Sequence, residues 1–355
     1  MTDGARPGPT LHFIVPGPLE QRTGGYLYDA RRVHGLRARG WAVTLHNLGG
    51  RFPAGDDEAR ASLEAALASI GDGERVVIDG LAMSCLPKSL QPHADRLKLI
   101  GLVHHPLADE TGLSAAELKH FEESERAALS SCDGVLVTSG YTARRLQDFG
   151  VSEERVRAIP PGTEPAPPAS GPPGGTPPLF LCVATVTQRK GHDVMVEALH
   201  RIRDLDWTCV CAGSLDRDDA WVAGVRATVS ELGLEDRIDF VGEHDAPSLE
   251  EWYRTASAFV LASHYEGYGM ALAEALARGL PIVSTTGGAI PFTVPADAGM
   301  LVEPGDVEAL ADALRRMLEP AVRDGLAAAA LSHGRALPDW DASVDAFGAA
   351  ILELT

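Results

Sequence analysis

Cysteine is scarce in this chain of 355 residues. The five cysteines, Cys85, Cys132, Cys182, Cys209 and Cys211, are odd in number and form no pair of CxxC motifs. Most lie in apolar stretches. That excludes a disulfide framework and a zinc ribbon, and reads as reduced thiols of an intracellular protein. No apolar run approaches the ~20 residues that span a bilayer. The first ten residues lack the basic-then-apolar order of a signal peptide. The expectation is a soluble, cytoplasmic protein with no integral membrane contact. Basic residues are also short: 31 Lys and Arg against 50 Asp and Glu, a net charge of −19. Nucleic-acid binding through phosphates needs a basic face, so nucleic acid is not an expected partner.

What is present is ordinary globular material: 45% hydrophobic and 23% charged residues. At roughly 150 residues per domain the length suggests two domains. The acid surplus is uneven. Up to Pro160 there are 18 bases against 21 acids; beyond it, 13 against 29. An anionic ligand of the second half would therefore need a few cations aimed at it.

Pro160 to Pro178, PPGTEPAPPASGPPGGTPP, can form neither a regular helix nor a sheet ladder and reads as a linker. Short apolar runs alternate with helical patterns on both sides of it. Strands are expected at Leu11–Val15, Ala42–Leu45, Arg75–Asp79, Leu97–Val103 and Gly134–Thr138. In the second half they fall at Leu179–Thr185, Trp207–Ala212, Ile238–Val241, Ala258–Ala262 and Pro281–Ser284. Helices are expected at Tyr26–Arg39 and Val307–Leu318, the latter with apolar residues on one face. The alternation implies two doubly wound α/β domains, with ligands beyond the carboxyl ends of the strands. Two such domains facing one another would put the site in the cleft between them.

Four motifs fall at such strand ends. Thr23-Gly24-Gly25-Tyr26 opens a helix, where backbone N–H groups favour anions. His104 and His105 follow a strand; alternation would send the two imidazoles to opposite faces, which argues against a metal pair. Gln188-Arg189-Lys190-Gly191 sets two cations at a strand-to-helix junction, suited to a diphosphate. The longest block runs from Ser263 to Val283. Glu266, Gly267, Tyr268, Gly269 and Met270 lead into a helix bearing Glu274, and Gly279 ends that helix. Its glycines leave N–H groups open to phosphate or sugar oxygens, and its two carboxylates can accept from sugar hydroxyls. Plain turns, solvated loops and surface histidines remain the alternative reading of the shorter motifs. Asp216-Arg217-Asp218-Asp219 has the look of a metal-binding DxD but lies far along the chain from the cationic motif.

This ordered series resembles glycosyltransferase family 4, retaining enzymes of the GT-B fold. The resemblance covers almost the whole chain and rests on the EGYG…EA block with Glu266 and Glu274. It is joined by Gly24-Gly25, Arg39 to Val43, Cys132 to Ser139, Ile159 to Thr163, Arg189-Lys190-Gly191, Phe240-Val241-Gly242, Gly287-Gly288 and Gly299 to Val302. It implies an α/β chain of GT-B architecture, two Rossmann-like doubly wound domains facing a central cleft. Residues 1–163 would be the acceptor-side domain, 164–178 the linker and 179–339 the nucleotide-sugar-binding domain. The last helix, 340–355, would pack back on the first domain. The implied activity is transfer of a sugar from a nucleotide diphosphosugar with retention, by a front-face mechanism without a catalytic metal or other cofactor. The acceptor would be a small molecule, a glycan or a lipid.

By position, Glu274 would hold the donor's ribose hydroxyls and Glu266 those of the sugar. Gly267 to Met270 would meet the sugar and diphosphate, and Lys190 with Arg189 would neutralise the leaving group. Val241, Gly242 and His244 would lie along the base. Gly24 and Gly25 would approach the phosphate, and His104 or His105 would stand near the sugar. Two positions depart from the family. Ala184-Thr185 replaces a Gly-Arg pair, removing one diphosphate cation, and Phe292 stands where glutamate is usual. A nucleotide-sugar epimerase or hydrolase of the same fold, and a non-catalytic nucleotide-sugar binder, are the alternatives.

Overall fold

The computed structural model describes residues 8–21 and 23–355. Two compact units divide them. One comprises the chain up to Gly162 together with Pro338–Thr355; the other is Thr163–Leu337. Each unit is built on a six-stranded, wholly parallel sheet.

The first sheet contains β1 (Thr10–Pro16), β2 (Ala42–Leu48), β3 (Arg75–Asp79), β4 (Lys98–Val103), β5 (Gly134–Val137) and β6 (Val156–Ala158), in the order β2-β1-β3-β4-β5-β6. The second contains β7 (Leu179–Val183), β8 (Thr208–Ala212), β9 (Ile238–Gly242), β10 (Ala258–Leu261), β11 (Ile282–Thr285) and β12 (Gly299–Val302), in the order β12-β11-β10-β7-β8-β9. Inner strands such as β5, β10 and β11 are buried at every position, as expected where helices cover both faces. Edge strand β2 instead mixes buried and exposed residues. Strand order reverses between β1 and β3 in the first sheet and between β7 and β10 in the second. A doubly wound sheet splays its loops apart at that point, and a ligand can enter there.

Part of the acid surplus has a local task. Asp56, Asp218, Asp245, Asp306 and Asp339 each start a helix, their carboxylates accepting an N–H of the first turn. A cap of this kind contributes about 1 kcal/mol. Asp218 belongs to the DxD-like stretch, so that stretch is a helix start.

The helix Trp340–Leu354 closes the first unit. Its Val344, Phe347 and Ile351 are buried with Leu11, Phe13 and Tyr28, and side chains of that size contribute about 1.5–3 kcal/mol each. Arg32 ties the same helix to Gly24–Ala38 by donating to Ser343 Oγ at 2.7 Å. The proline-rich run has no helix or strand, but it is docked. Ala169 N donates to Arg278 O and Ser170 N to Arg254 O, both at 2.8 Å, so from Thr163 onward the run belongs to the second unit.

Candidate active site

The two switch points each hold a cluster of charged side chains. In the second unit Lys190 follows β7 and Glu266 follows β10, the two strands that pair at the reversal. Lys190 Nζ lies 2.6 Å from Glu266 Oε1, and Arg189 Nη1 lies 3.7 Å from Glu266 Oε2. Ser263 Oγ donates to Glu266 Oε1 at 2.7 Å, and Arg189 donates to Tyr265 O at 2.8 Å. Glu266 is 6% exposed. Burial would raise its pKa, but the charges of Lys190 and Arg189 and the hydrogen bonds from Lys190 and Ser263 outweigh it and hold the carboxyl below its usual range. Burial lowers the Lys190 ammonium, with Glu266 opposing.

The backbone explains why these loops meet. Gly191 has φ +63°, and a Cβ there would lie 2.1 Å from Ala262 O. Only glycine lets the loop after β7 rest on the end of β10, where His264 N donates to Arg189 O at 2.8 Å. On the other side Gly288, at φ +60°, would bring a Cβ within 2.4 Å of Glu266 O. Ala289 N donates to that same oxygen at 2.7 Å. Gly267 and Tyr268 then lead through Gly269 into the helix Met270–Ala277. Glu274 on that helix accepts from Tyr253 Oη at 2.9 Å, and burial raises its pKa.

Val241 and Gly242 end β9, at the far edge of the sheet from β10, and the exposed His244 turns its ring back to Val241 O at 3.1 Å. Thr185 is half-buried and supplies no charge beside Lys190. Phe292 is 47% exposed.

In the first unit the cluster is acidic. β4 ends at Val103, so neither histidine belongs to the strand, and strand alternation is not what separates them. The turn after the strand does so. His104 Nε2 lies 3.1 Å from Asp29 Oδ1 and 3.3 Å from Asp79 Oδ2. His105 turns the other way, its Nε2 3.4 Å from Glu110 Oε2. Asp29 lies on the helix Gly24–Ala38 and Asp79 ends β3; both are buried. Gly25 packs on the His104 ring, its Cβ position 3.4 Å from Cδ2, while Gly24 is the first residue of the same helix. Thr23 caps that helix without a side-chain hydrogen bond. Below His104, buried Glu125 accepts from Leu107 N at 2.7 Å and Ala108 N at 3.1 Å, fixing the loop that follows the histidines.

Sequence reasoning did not single out Asp29, Asp79, Tyr253, Ser263 or Glu125. Asp79 carried a signal, an acid closing the apolar strand RVVID. Asp29 carried a weaker one, an acid on a helix face shared with Tyr28, Arg32 and Val33. Among the described residues, two groups place three metal-capable atoms within 4.8 Å of one another: Asp29, Asp79 and His104, and Cys182, His192 and Cys211. Neither includes Lys190 or Glu266. All five thiols are unbridged.

Two family models match the chain. The model described as Glycosyltransferase Family 4 matches residues 81–166, and the one described as Glycosyl transferases group 1 matches residues 177–320. The chain belongs to glycosyltransferase family 4. Among its relatives, a D-inositol 3-phosphate glycosyltransferase of Thermomonospora curvata is 35% identical over 176 residues, 47% of this chain and 41% of that one. The lipopolysaccharide core biosynthesis mannosyltransferase LpsB of Rhizobium meliloti is 32% identical over 154 residues, 42% of this chain and 43% of that one. The chain thus spans less than half the length of these two relatives. Solved structures match end to end. A sucrose-phosphate synthase from Thermosynechococcus elongatus superposes with a TM-score of 0.81 at 23% identity, covering 98% of this chain and 99% of that one. Anabaena Alr3699/HepE in complex with UDP-glucose does so with a TM-score of 0.76 at 16% identity, covering 97% and 99%. These likenesses establish the GT-B fold of the family for this chain.

Proposed function

We propose that this chain is a retaining glycosyltransferase that moves a sugar from a nucleotide diphosphosugar to an acceptor by front-face substitution, without a catalytic metal. The observation that carries this reading is the buried Lys190–Glu266 pair, with Arg189 beside it, at the switch point of the second sheet. Two cations against one carboxylate leave a net positive charge in a half that is otherwise strongly acidic. A diphosphate is the ligand class that such a local charge selects.

Lys190 and Arg189 neutralise the charge that grows on the diphosphate as the glycosidic bond breaks, so they act most strongly in the transition state. The departing phosphate takes the acceptor's proton. Glu266 keeps Lys190 charged while the site is empty and accepts from the sugar hydroxyls when the donor is present. Glu274 accepts from the ribose. Gly267 to Met270 turn backbone N–H groups toward the donor, and Gly24 and Gly25, at the start of their helix, are the further phosphate-binding residues of this reading. Val241, Gly242 and His244 flank the base. Several relatives and neighbours are named for sugar transfer, and HepE was solved with UDP-glucose; this supports the donor class.

A thermal-shift series with UDP-, GDP-, ADP- and dTDP-sugars tests the reading. One sugar nucleotide should raise the melting temperature and be cleaved slowly in the absence of acceptor, with activity retained after exhaustive EDTA treatment. Formation of an epimer from donor alone would move the assignment to a nucleotide-sugar epimerase. Absence of a shift with every sugar nucleotide would remove the donor assignment.

A further inference from the structure

His104 is held in an unusual way. Two buried carboxylates from different elements, Asp29 on a helix and Asp79 at a strand end, share its single Nε2 at 3.1 and 3.3 Å. One carboxylate would fix a ring's tautomer. Two, both taken out of water, need a full positive charge between them, because an unpaired buried carboxylate costs several kcal/mol. The remaining neighbours leave that task to His104. Tyr28 meets the ring edge-on, with centroids 5.3 Å apart, and its hydroxyl donates away to Ile159 O. Arg32 stacks on the Tyr28 ring at 4.0 Å and donates to Ser343 and Pro160. Asp79 Oδ1 is already engaged by Leu81 N at 2.8 Å, which leaves Oδ2 for the histidine. Thr138 Oγ1 donates to the His104 carbonyl, fixing the backbone beneath the ring.

We infer that Asp29 and Asp79 are positioning residues that keep His104 a permanent imidazolium, so that it serves as a fixed cationic donor through Nδ1–H and never as a general base. Nε2 is fully used, and Nδ1 has no partner among the described residues in a side chain that is 21% exposed. The electrostatics agree with the geometry. Burial alone would lower the imidazole, but the charges and hydrogen bonds of Asp29 and Asp79 overcome it and push the ring up to about 10. Burial raises Asp29 to about 6, with His104 opposing. The Nδ1–H would be offered to an electron-rich oxygen of the substrate, a sugar hydroxyl or a phosphate. This donor role rests on the glycosyltransferase reading; the charge clamp itself does not.

The test separates the two. Ring protonation is followed by NMR on histidine-labelled protein, assigned with His104→Gln, in the absence of any substrate. The His104 ring should stay doubly protonated from pH 6 to 9. Asp29→Asn and Asp79→Asn, the latter keeping an acceptor for Leu81 N, should each return its titration toward 6.5. Asp79→Glu should keep the ring charged. In turnover assays the two asparagine variants should gain a limb falling with rising pH, as the neutral ring loses its cation, with kcat affected more than KM. A wild-type ring that titrates near 6.5 overturns the clamp, whatever the enzyme transfers. One bound divalent ion per chain, lost in Asp29→Asn, would also overturn it, because the carboxylates would then serve a metal. If the ring stays charged but turnover keeps its pH profile in all variants, the donor role fails.

Discussion

The two switch-point clusters carry opposite charge. In the first unit one histidine stands between two carboxylates; in the second, one carboxylate stands between two cations. Each runs against its surroundings. The near-neutral half of the sequence builds the acidic cluster, and the strongly acidic half builds the cationic one. Net charge therefore says little about a site: three side chains buried together outweigh a score of solvated ones, because solvent screens the latter. Both clusters are also self-neutralising in part. An ionised group at a strand end is kept out of water only when a counter-charge from a neighbouring loop reaches it, which makes each cluster a structural joint as well as a chemical site.

That duality can be broken one partner at a time. Replacing His104 by Ala strands Asp29 and Asp79 without a counter-charge. The expected loss is about 3–5 kcal/mol of stability, read as a lower urea midpoint; an unchanged midpoint would show that water enters the pocket. Lys190→Ala should be milder for stability, since Arg189 still faces Glu266, but severe for chemistry. We expect kcat at saturating donor to fall about 100- to 1000-fold. Near-normal turnover would move the diphosphate role to Arg189 alone. Because Thr185 replaces a cation usual in the family, Thr185→Arg in the Lys190→Ala background should recover part of the lost rate.

Smaller effects sharpen the contrast. Glu274→Ala removes one charged acceptor and frees Tyr253 Oη; donor dissociation constants from calorimetry should rise roughly 10- to 150-fold, with kcat little altered. Unchanged donor affinity in the folded variant would take Glu274 out of the site. His105→Ala should change stability by no more than about 0.5 kcal/mol, because its ionic contact with Glu110 is half-exposed. Turnover of that variant should match the wild type. A loss as large as that of His104→Ala would mean that the two histidines share the work.

Much of the architecture was legible in advance. Ten strands were readable as short apolar runs between helical stretches. The two that were not, β6 and β12, both lie at sheet edges and run only three and four residues. An edge strand is covered on fewer sides, so its sequence need not be apolar throughout, and the pattern fades. The proline-rich run was correctly free of helix and strand. Its docking on the second unit was not readable, because it depends on two carbonyls, of Arg254 and Arg278, distant in sequence.

The sequence by itself determined which residues stand at strand ends. That follows from a local rule, a period of apolar residues. That Gly191 and Gly288 must be glycine came from the tertiary structure, because a Cβ at either would meet a backbone oxygen distant in sequence, of Ala262 or of Glu266. The sequence also placed Lys190 and Glu266 in motifs, though 76 positions apart. Only the tertiary structure decided that these two neutralise one another, that His104 and not His105 turns between Asp29 and Asp79, and that Tyr253 meets Glu274. Charge pairing depends on distance in space, and the reversal of strand order at β1–β3 and β7–β10 sets that distance. No local pattern around Asp29 or Asp79 records the imidazole that each carboxylate faces.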